Sequence, residues 1–359
     1  MLSVEKPVTD HQTPQPPPRL GPWPHRLAWL LACATFPLIL VGATVTGYGA
    51  GMSVPDWPTT YGYWFYPLKL WIVVWDLFLE HGHRMLAEFV VGPLTIALTV
   101  LVWRSDRRTW MRGLVLAALA GVIFQGTLGG LRVIADQRLL ARIHGCTAPL
   151  FFTLCAVLAA VTSRRWPSGI RGPVHFSARI RLLWALVLAI YLEIVLGTQL
   201  RVPSIAVGGN WFQLLVWVKV INAALIAAGL AWLWLETRRS GGLSHVSFDE
   251  TGTVPLAGAQ RMLATRVRLL AVLFMLQIIL ACATWVTHYG WPAWFSRYFT
   301  TINYTVVETG RWQVVLTTLH VGAGSLCLAL AATILLWSYV AGTRRVPSAS
   351  YGTRRVPAT

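Results

Sequence analysis

Apolar residues in this chain gather into long, nearly unbroken runs, separated by shorter segments rich in arginine, tryptophan, glycine and proline. Residues 27–45, 114–127, 182–196, 214–235 and 316–340 reach or approach the ~20 positions that a helix needs to cross hydrocarbon. Followed to their polar flanks, the apolar runs predict spans over 27–47, 78–103, 112–133, 142–162, 180–202, 212–236, 267–288 and 314–340. The short alternating segments of a membrane β-barrel are not seen. The predicted fold class is an all-α polytopic membrane protein of about eight transmembrane helices.

The spans also read as two sets of four. Span one ends VGATVTGYG (41–49) and span five ends VLGTQLRVP (195–203); each is followed by an outer segment and then by a span with polar residues near its start. This internal likeness predicts two pseudo-repeated four-helix bundles, 27–165 and 180–340, joined by a cytoplasmic linker at 166–179. A cytoplasmic N-terminal segment, 1–26, and a basic cytoplasmic tail, 341–359, complete the expected organisation. The proline-rich opening, TPQPPPR at 13–19, differs from a plain signal peptide. GTRRVP occurs twice in the last residues, at 342–347 and 352–357.

Composition agrees with burial in lipid. With 55% hydrophobic and 12% charged residues, the 359-residue chain lacks the charge needed to cover a soluble surface, and nineteen tryptophans suit interfacial belts. The net charge of +17 would by itself admit a nucleic-acid partner. Position decides otherwise, because 21 of the 30 basic residues fall in the terminal segments and in alternate loops, among them Arg104, Arg107, Arg164, Arg165, Arg238 and Arg239. The positive-inside rule then places both termini in the cytoplasm of a cell (inner) membrane, which an even number of spans satisfies. The arginines face lipid headgroups, so the expected partner is the lipid bilayer and no nucleic acid. Cys33, Cys146, Cys155, Cys282 and Cys327 are scattered through apolar runs without a CxxC, which indicates neither a disulfide framework nor a thiolate metal site.

Ionisable residues inside apolar spans are costly, so each is a candidate for function. Span two opens DLFLEHGHR (76–84), where Asp76, Glu80 and His83 share one helix face and His81 lies about 200° around from His83. Span four opens with Arg142–Ile143–His144–Gly145, and span eight carries His320 before Val321 and Gly322. Glu88 and Glu193 also fall within spans. The topology runs spans two, four and eight in the same direction, which sets His83, His144 and His320 at one level near the outer face. Imidazoles from separate helices at one depth suit the axial positions of a haem iron, with glycines beside them leaving room for a flat ring. Arg84, Arg132, Arg142, Arg201 and Arg311, near the outer helix ends, are candidates for pairing with propionates. Structural zinc would ask for four convergent ligands, usually with thiolates.

Several of these motifs resemble the haem A synthase family. EHGHR at 80–84 is similar to its ExxHR signature, RIHG at 142–145 to its second histidine, GATVTGYGAGMSVPDWP at 42–58 to its first span and following loop, and LHVGAG at 319–324 to its last-span histidine. The resemblance covers roughly residues 26–340. It implies oxidation of a methyl group of haem O to a formyl group, giving haem A for terminal oxidases. His83 and His144 would hold the substrate haem in the N-terminal half, and Glu80 would be the carboxylate acting in the oxidation. Implied partners are haem O and haem A, a haem O synthase (protohaem farnesyltransferase) and an electron acceptor such as a quinone.

One departure concerns the haem b cofactor that the family binds between spans six and eight. Span six reads WFQLLVWVKVIN over 211–222, without a histidine, and Lys219 stands at the depth of the missing ligand. Either Lys219 or another group ligates opposite His320, or His320 holds the haem alone, or the C-terminal half has lost it. Two other functions fit the same architecture. A b-type cytochrome for electron transfer predicts two bis-histidine pairs, of which one is complete here. A haem transporter or handling protein predicts paired helix breaks, whereas Pro37, Pro93 and Pro149 all lie in the first half.

Overall fold

A computed structural model describes residues 21–135, 137–163, 166, 178–201, 209–241, 256–298 and 306–342. Most of the N-terminal segment, most of the linker and nearly all of the basic tail expected from the sequence lie outside these residues. Eight helices are long and apolar enough to cross a membrane. They are α1 (Pro22–Gly47), α2 (Trp75–Ser105), α3 (Thr109–Ile134), α4 (Arg138–Val161), α5 (Ala178–Arg201), α6 (Gly209–Gly241), α7 (Leu256–Tyr289) and α8 (Arg311–Gly342). Each corresponds to one predicted span, and the chain is an all-α polytopic membrane protein.

Lipid tails supply no hydrophobic drive between helices, so their association rests on side-chain packing and on polar links. Two apolar cores form. Leu31, Leu98, Met111, Val115 and Leu158 are fully buried among α1–α4, and Leu183, Ile226, Leu233, Leu270 and Leu328 among α5–α8. Outward positions such as Ile123, Leu188, Leu225, Val272 and Ile279 are exposed and apolar, the arrangement that hydrocarbon favours. Threonines within the spans satisfy themselves by donating to the carbonyl four residues back, as Thr35 does to Leu31 and Thr95 to Val91. Helix α2 carries a π-helical turn at Ala87–Val91, just before Pro93. Proline has no N–H to give the preceding turn, and the ladder widens where that bond is missing.

Helix α8 joins the two groups, packing against α1 and α4 as well as α5 and α7. Small residues permit the approach. A Cβ on Gly322 would lie 2.7 Å from Leu40 Cδ2, and one on Gly47 2.8 Å from Val314 Cγ1. Thr44 and Thr318 hydroxyls meet at 3.3 Å, and the Arg201 guanidinium donates to the Ala43 carbonyl at 2.6 Å.

The segment after α1 folds over the ends of α2 and α3. Gly49 takes a left-handed conformation (φ 72°) that turns the chain out of α1 into a short 3-10 turn, Ala50–Met52. Trp57 then lies flat against Gly130 of α3, where any side chain would collide with the indole. Asp56 organises the tip by accepting from the Thr59 hydroxyl and from the N–H groups of Tyr61 (2.7 Å) and Gly62 (2.9 Å). Burial alone would raise the Asp56 carboxyl, but the bonds from Thr59, Gly62 and Tyr61 outweigh it and hold the group below the ordinary carboxylate range. A carboxyl lowered on folding stabilises the loop above its unfolded pKa, and that contribution fades as pH falls through the lower folded value. Proteolysis within residues 56–62 is therefore expected only below about pH 4 in the wild type, and already at neutral pH in Asp56→Ala.

Candidate functional site

His83 and His144 come from α2 and α4, and lie beneath the loop formed by residues 48–62. They sit eight and six residues into their helices, so about 12 and 9 Å from the helix starts. His320 lies nine residues into α8, about 14 Å from its start. The two N-terminal histidines are near enough to influence one another electrostatically, and both feel Arg132. Each has a backbone partner, Leu38 for His83 and Gln125 for His144, yet each keeps a buried Nδ1 that no protein group meets. Buried polar atoms are nearly always partnered, so each such nitrogen is a candidate contact for a ligand. Glycines from the neighbouring helices make room there. A Cβ on Gly42 would stand 2.8 Å from His83 Cε1, and one on Gly129 3.5 Å from His144 Cε1.

Glu80 stands one turn before His83 and Arg84 directly after it, yet both face the loop. The Glu80 carboxylate pairs with Arg84 at 2.9 Å through Oε1 and accepts the Val54 N–H at 2.9 Å through Oε2. Arg84 also donates to the carbonyls of Asp56 (2.6 Å), Thr59 (3.0 Å) and Val54 (3.2 Å). Arg84, a candidate for a propionate, thus has both terminal nitrogens bonded to the loop and to Glu80. Both residues are buried, at 3% and 9% exposure, so their mutual pairing is what makes their burial tolerable. Asp76, on the same helix, is exposed in its first turn. His81 turns away from His83, as its spacing predicts, and meets the Thr60 hydroxyl at 2.9 Å.

Arg132 ends α3 beside Gly51, whose carbonyl it approaches at 3.4 Å, and it is electrostatically coupled to Glu80 and to both histidines. Arg142 lies in the second turn of α4 at the same end of the bundle. Arg201 reaches out of the C-terminal half to α1, and so ties the halves together. Arg311 lines a cavity of about 270 Å³ between α1, the start of α2 and α8, with Thr44, Tyr48, Trp75 and Thr318.

The C-terminal half is built differently. His320 also keeps a partnerless buried Nδ1, while its Nε2 lies 3.4 Å from Gln277 of α7. Lys219 points inward but is taken up by Glu193 of α5, with Nζ 2.6 Å from the carboxylate and 3.1 Å from the Glu193 carbonyl. Asn222 donates to the other Glu193 oxygen at 2.8 Å and to the Ala189 carbonyl at 2.9 Å. Glu193 thus acquires a partner that its position alone did not indicate. Gln125 and Gln277 were passed over in the sequence, although a lone amide in an apolar span is itself a signal. Each lies beside the α4 or α8 histidine and has an unpartnered side-chain oxygen.

Among the described residues, no three His, Cys, Asp or Glu side chains converge for a metal ion. The histidines are presented singly from separate helices, which suits axial ligation of a haem better than a zinc centre. The N-terminal half fits such a group: two imidazoles, glycines facing their rings, and Arg132 alongside. The C-terminal half offers one imidazole opposite an ion pair.

No protein-family model matches the chain. It is similar to the heme A synthase of Roseobacter denitrificans, 38% identical over 100 residues, which are 26% of each chain. It is also similar to the heme A synthase of Dinoroseobacter shibae, 31% identical over 162 residues, covering 41% of this chain and 39% of the relative. A protoheme IX farnesyltransferase of Halobacterium salinarum is 26% identical over 239 residues, 60% of this chain and 48% of the relative. The chain spans about a quarter to two fifths of the length of these synthases and about half that of the farnesyltransferase.

Proposed function

We propose that this chain is a haem-processing membrane enzyme, and specifically that it oxidises a methyl group of haem O to the formyl group of haem A. The observation that carries the reading is the pair of inward histidines, His83 and His144, each with an unmet buried nitrogen and a glycine facing its ring. The similarity to two heme A synthases supports the same chemistry.

In this reading His83 and His144 hold the substrate haem O by its iron, and Arg132 and Arg142 balance its propionates. The loop over residues 48–62 excludes water, held down by Trp57 on Gly130 and by the bonds of Arg84. Glu80 sits one helical turn before His83 as the buried carboxylate for proton acceptance or charge stabilisation, positioned by its bonds to Arg84 and the Val54 N–H. Going from methyl to formyl removes electrons and adds one oxygen atom, so the oxidation also needs an electron acceptor such as a quinone and an oxygen donor, water or dioxygen, with a haem O synthase as the source of substrate. The site lies near the outer face of a cell membrane, with both termini in the cytoplasm.

A second reading, prenyl transfer to haem, follows from the similarity to the farnesyltransferase. Transfer from a metal-held diphosphate asks for carboxylates gathered at one point. Here Glu80, Glu193, Glu236 and Asp106 are each paired with a separate cation.

The deciding experiment co-expresses the chain with a haem O source and separates the extracted haems by chromatography. Wild type is expected to yield haem A or its hydroxylated precursor. Glu80→Gln, which keeps an acceptor for Val54 but loses the charge, is expected to retain haem O and form about 100-fold less product. Undiminished product in Glu80→Gln would reduce Glu80 to a loop anchor. Haem b alone from the wild type would favour a b-type cytochrome, and new haem O from haem b and a prenyl diphosphate would favour the transferase.

A further inference from the structure

In the N-terminal half, α1 presents Gly42 to the ring of His83; in the C-terminal half, α5 presents Gly197 to the side chain of Lys219. The hypothetical Cβ distances are 2.8 Å to His83 Cε1 and 3.4 Å to Lys219 Nζ. Both glycines lie near the ends of the first helices of their halves, in the segments whose sequences resemble each other. His83 has its backbone partner at Leu38 of α1, and Lys219 has one at Glu193 of α5. The opposing positions correspond as well: His144 of α4 has Gln125 of α3 beside it, and His320 of α8 has Gln277 of α7. Lys219 therefore occupies the place of His83 in a second copy of the same arrangement.

The two places are chemically unlike. An axial ligand must bring a lone pair to the iron, and His83 has a ring nitrogen to give. Lys219 Nζ is held by the Glu193 carboxylate and carbonyl, and Asn222 occupies the second carboxylate oxygen. For Lys219 to ligate, it would have to give up its proton and leave Glu193 as an uncompensated buried charge. The polar link has also changed direction. Two ligands of one iron would join α6 to α8, whereas the Lys219–Glu193–Asn222 cluster joins α6 to α5. Among the described residues, His320 has the Gln277 amide as its hydrogen-bond neighbour.

We infer that the C-terminal half does not hold a bis-axially ligated haem: a buried Lys219–Glu193–Asn222 cluster has taken the ligand's position, and any haem of this chain resides in the N-terminal half. The inference concerns the second half alone and does not depend on which reaction the first half performs.

The test is the haem-to-protein ratio of the purified full-length chain, read by pyridine haemochrome, with the ligand type read by electron paramagnetic resonance. Wild type is expected to carry at most one haem per chain, with a bis-histidine signature. His320→Ala is expected to leave that ratio and signature unchanged, while His83→Ala removes the haem. Lys219→His combined with Glu193→Gln, which restores an imidazole and removes the carboxylate charge, is expected to raise the ratio from one to two. A haem in the wild type that disappears with His320→Ala would overturn the inference. A folded double variant that gains no haem would overturn the assignment of Lys219 to the ligand position. A wild type with no haem would leave the inference standing and count against the proposed function instead.

Discussion

Replacing His83 or His144 with alanine is expected to strip the N-terminal half of its haem while leaving the bundle assembled. Loss of a residue that merely supports a metal ligand typically weakens binding about 10–100-fold, and loss of the ligand itself should cost at least as much. The fold has little stake in either ring, because each leaves a buried nitrogen unmet and the apolar core of α1–α4 is built from Leu31, Leu98, Met111 and Leu158. The measurement is the Soret absorbance per chain alongside the thermal midpoint in detergent. A large fall in the first with a small change in the second is the expected result. Unchanged haem content would remove the central support for the proposed site, and collapse of both would assign the histidines to packing.

Arg84→Met is expected to produce the largest loss of stability of any single change near the site. It removes the partner of a carboxylate that is only 3% exposed, and such breaks typically destabilise by about 3–5 kcal/mol. Three loop carbonyls, those of Val54, Asp56 and Thr59, lose their donor at the same time. Adding Glu80→Leu should recover part of the loss, because replacing both members of a buried pair is far milder than orphaning one. Thermal unfolding of the single and double variants, with proteolysis of the 48–62 loop as a local readout, checks both statements. A double variant no more stable than Arg84→Met would mean that the loop bonds, and not the ion pair, dominate.

Some of this was present in the chain read alone. Hydrocarbon tolerates a helix only when its backbone bonds are internal and its side chains apolar, so the eight spans stand out in one dimension. The same intolerance makes His83, His144, His320, Glu80 and Lys219 conspicuous, because an ionisable group in an apolar run needs a reason to be there. The spacing of His81 and His83 also decided that they face different ways, since helical periodicity is a local property.

Partnerships were not local, and the tertiary structure alone decided them. Glu80 and Arg84 share a helix face with the right spacing for a pair, but only the fold of residues 48–62 brings Val54, Asp56 and Thr59 to them. Glu193 and Lys219 are 26 residues apart on different helices, and their union depends on how α5 and α6 are rotated. Arg201 looked like its sibling arginines at the helix ends, yet it crosses to Ala43, 158 residues away, because α8 packs against both α1 and α5 and so brings that carbonyl within reach. Hydropathy sets how deep a residue lies; rotation and neighbour set what it does, and those follow from packing between helices that the linear pattern does not encode.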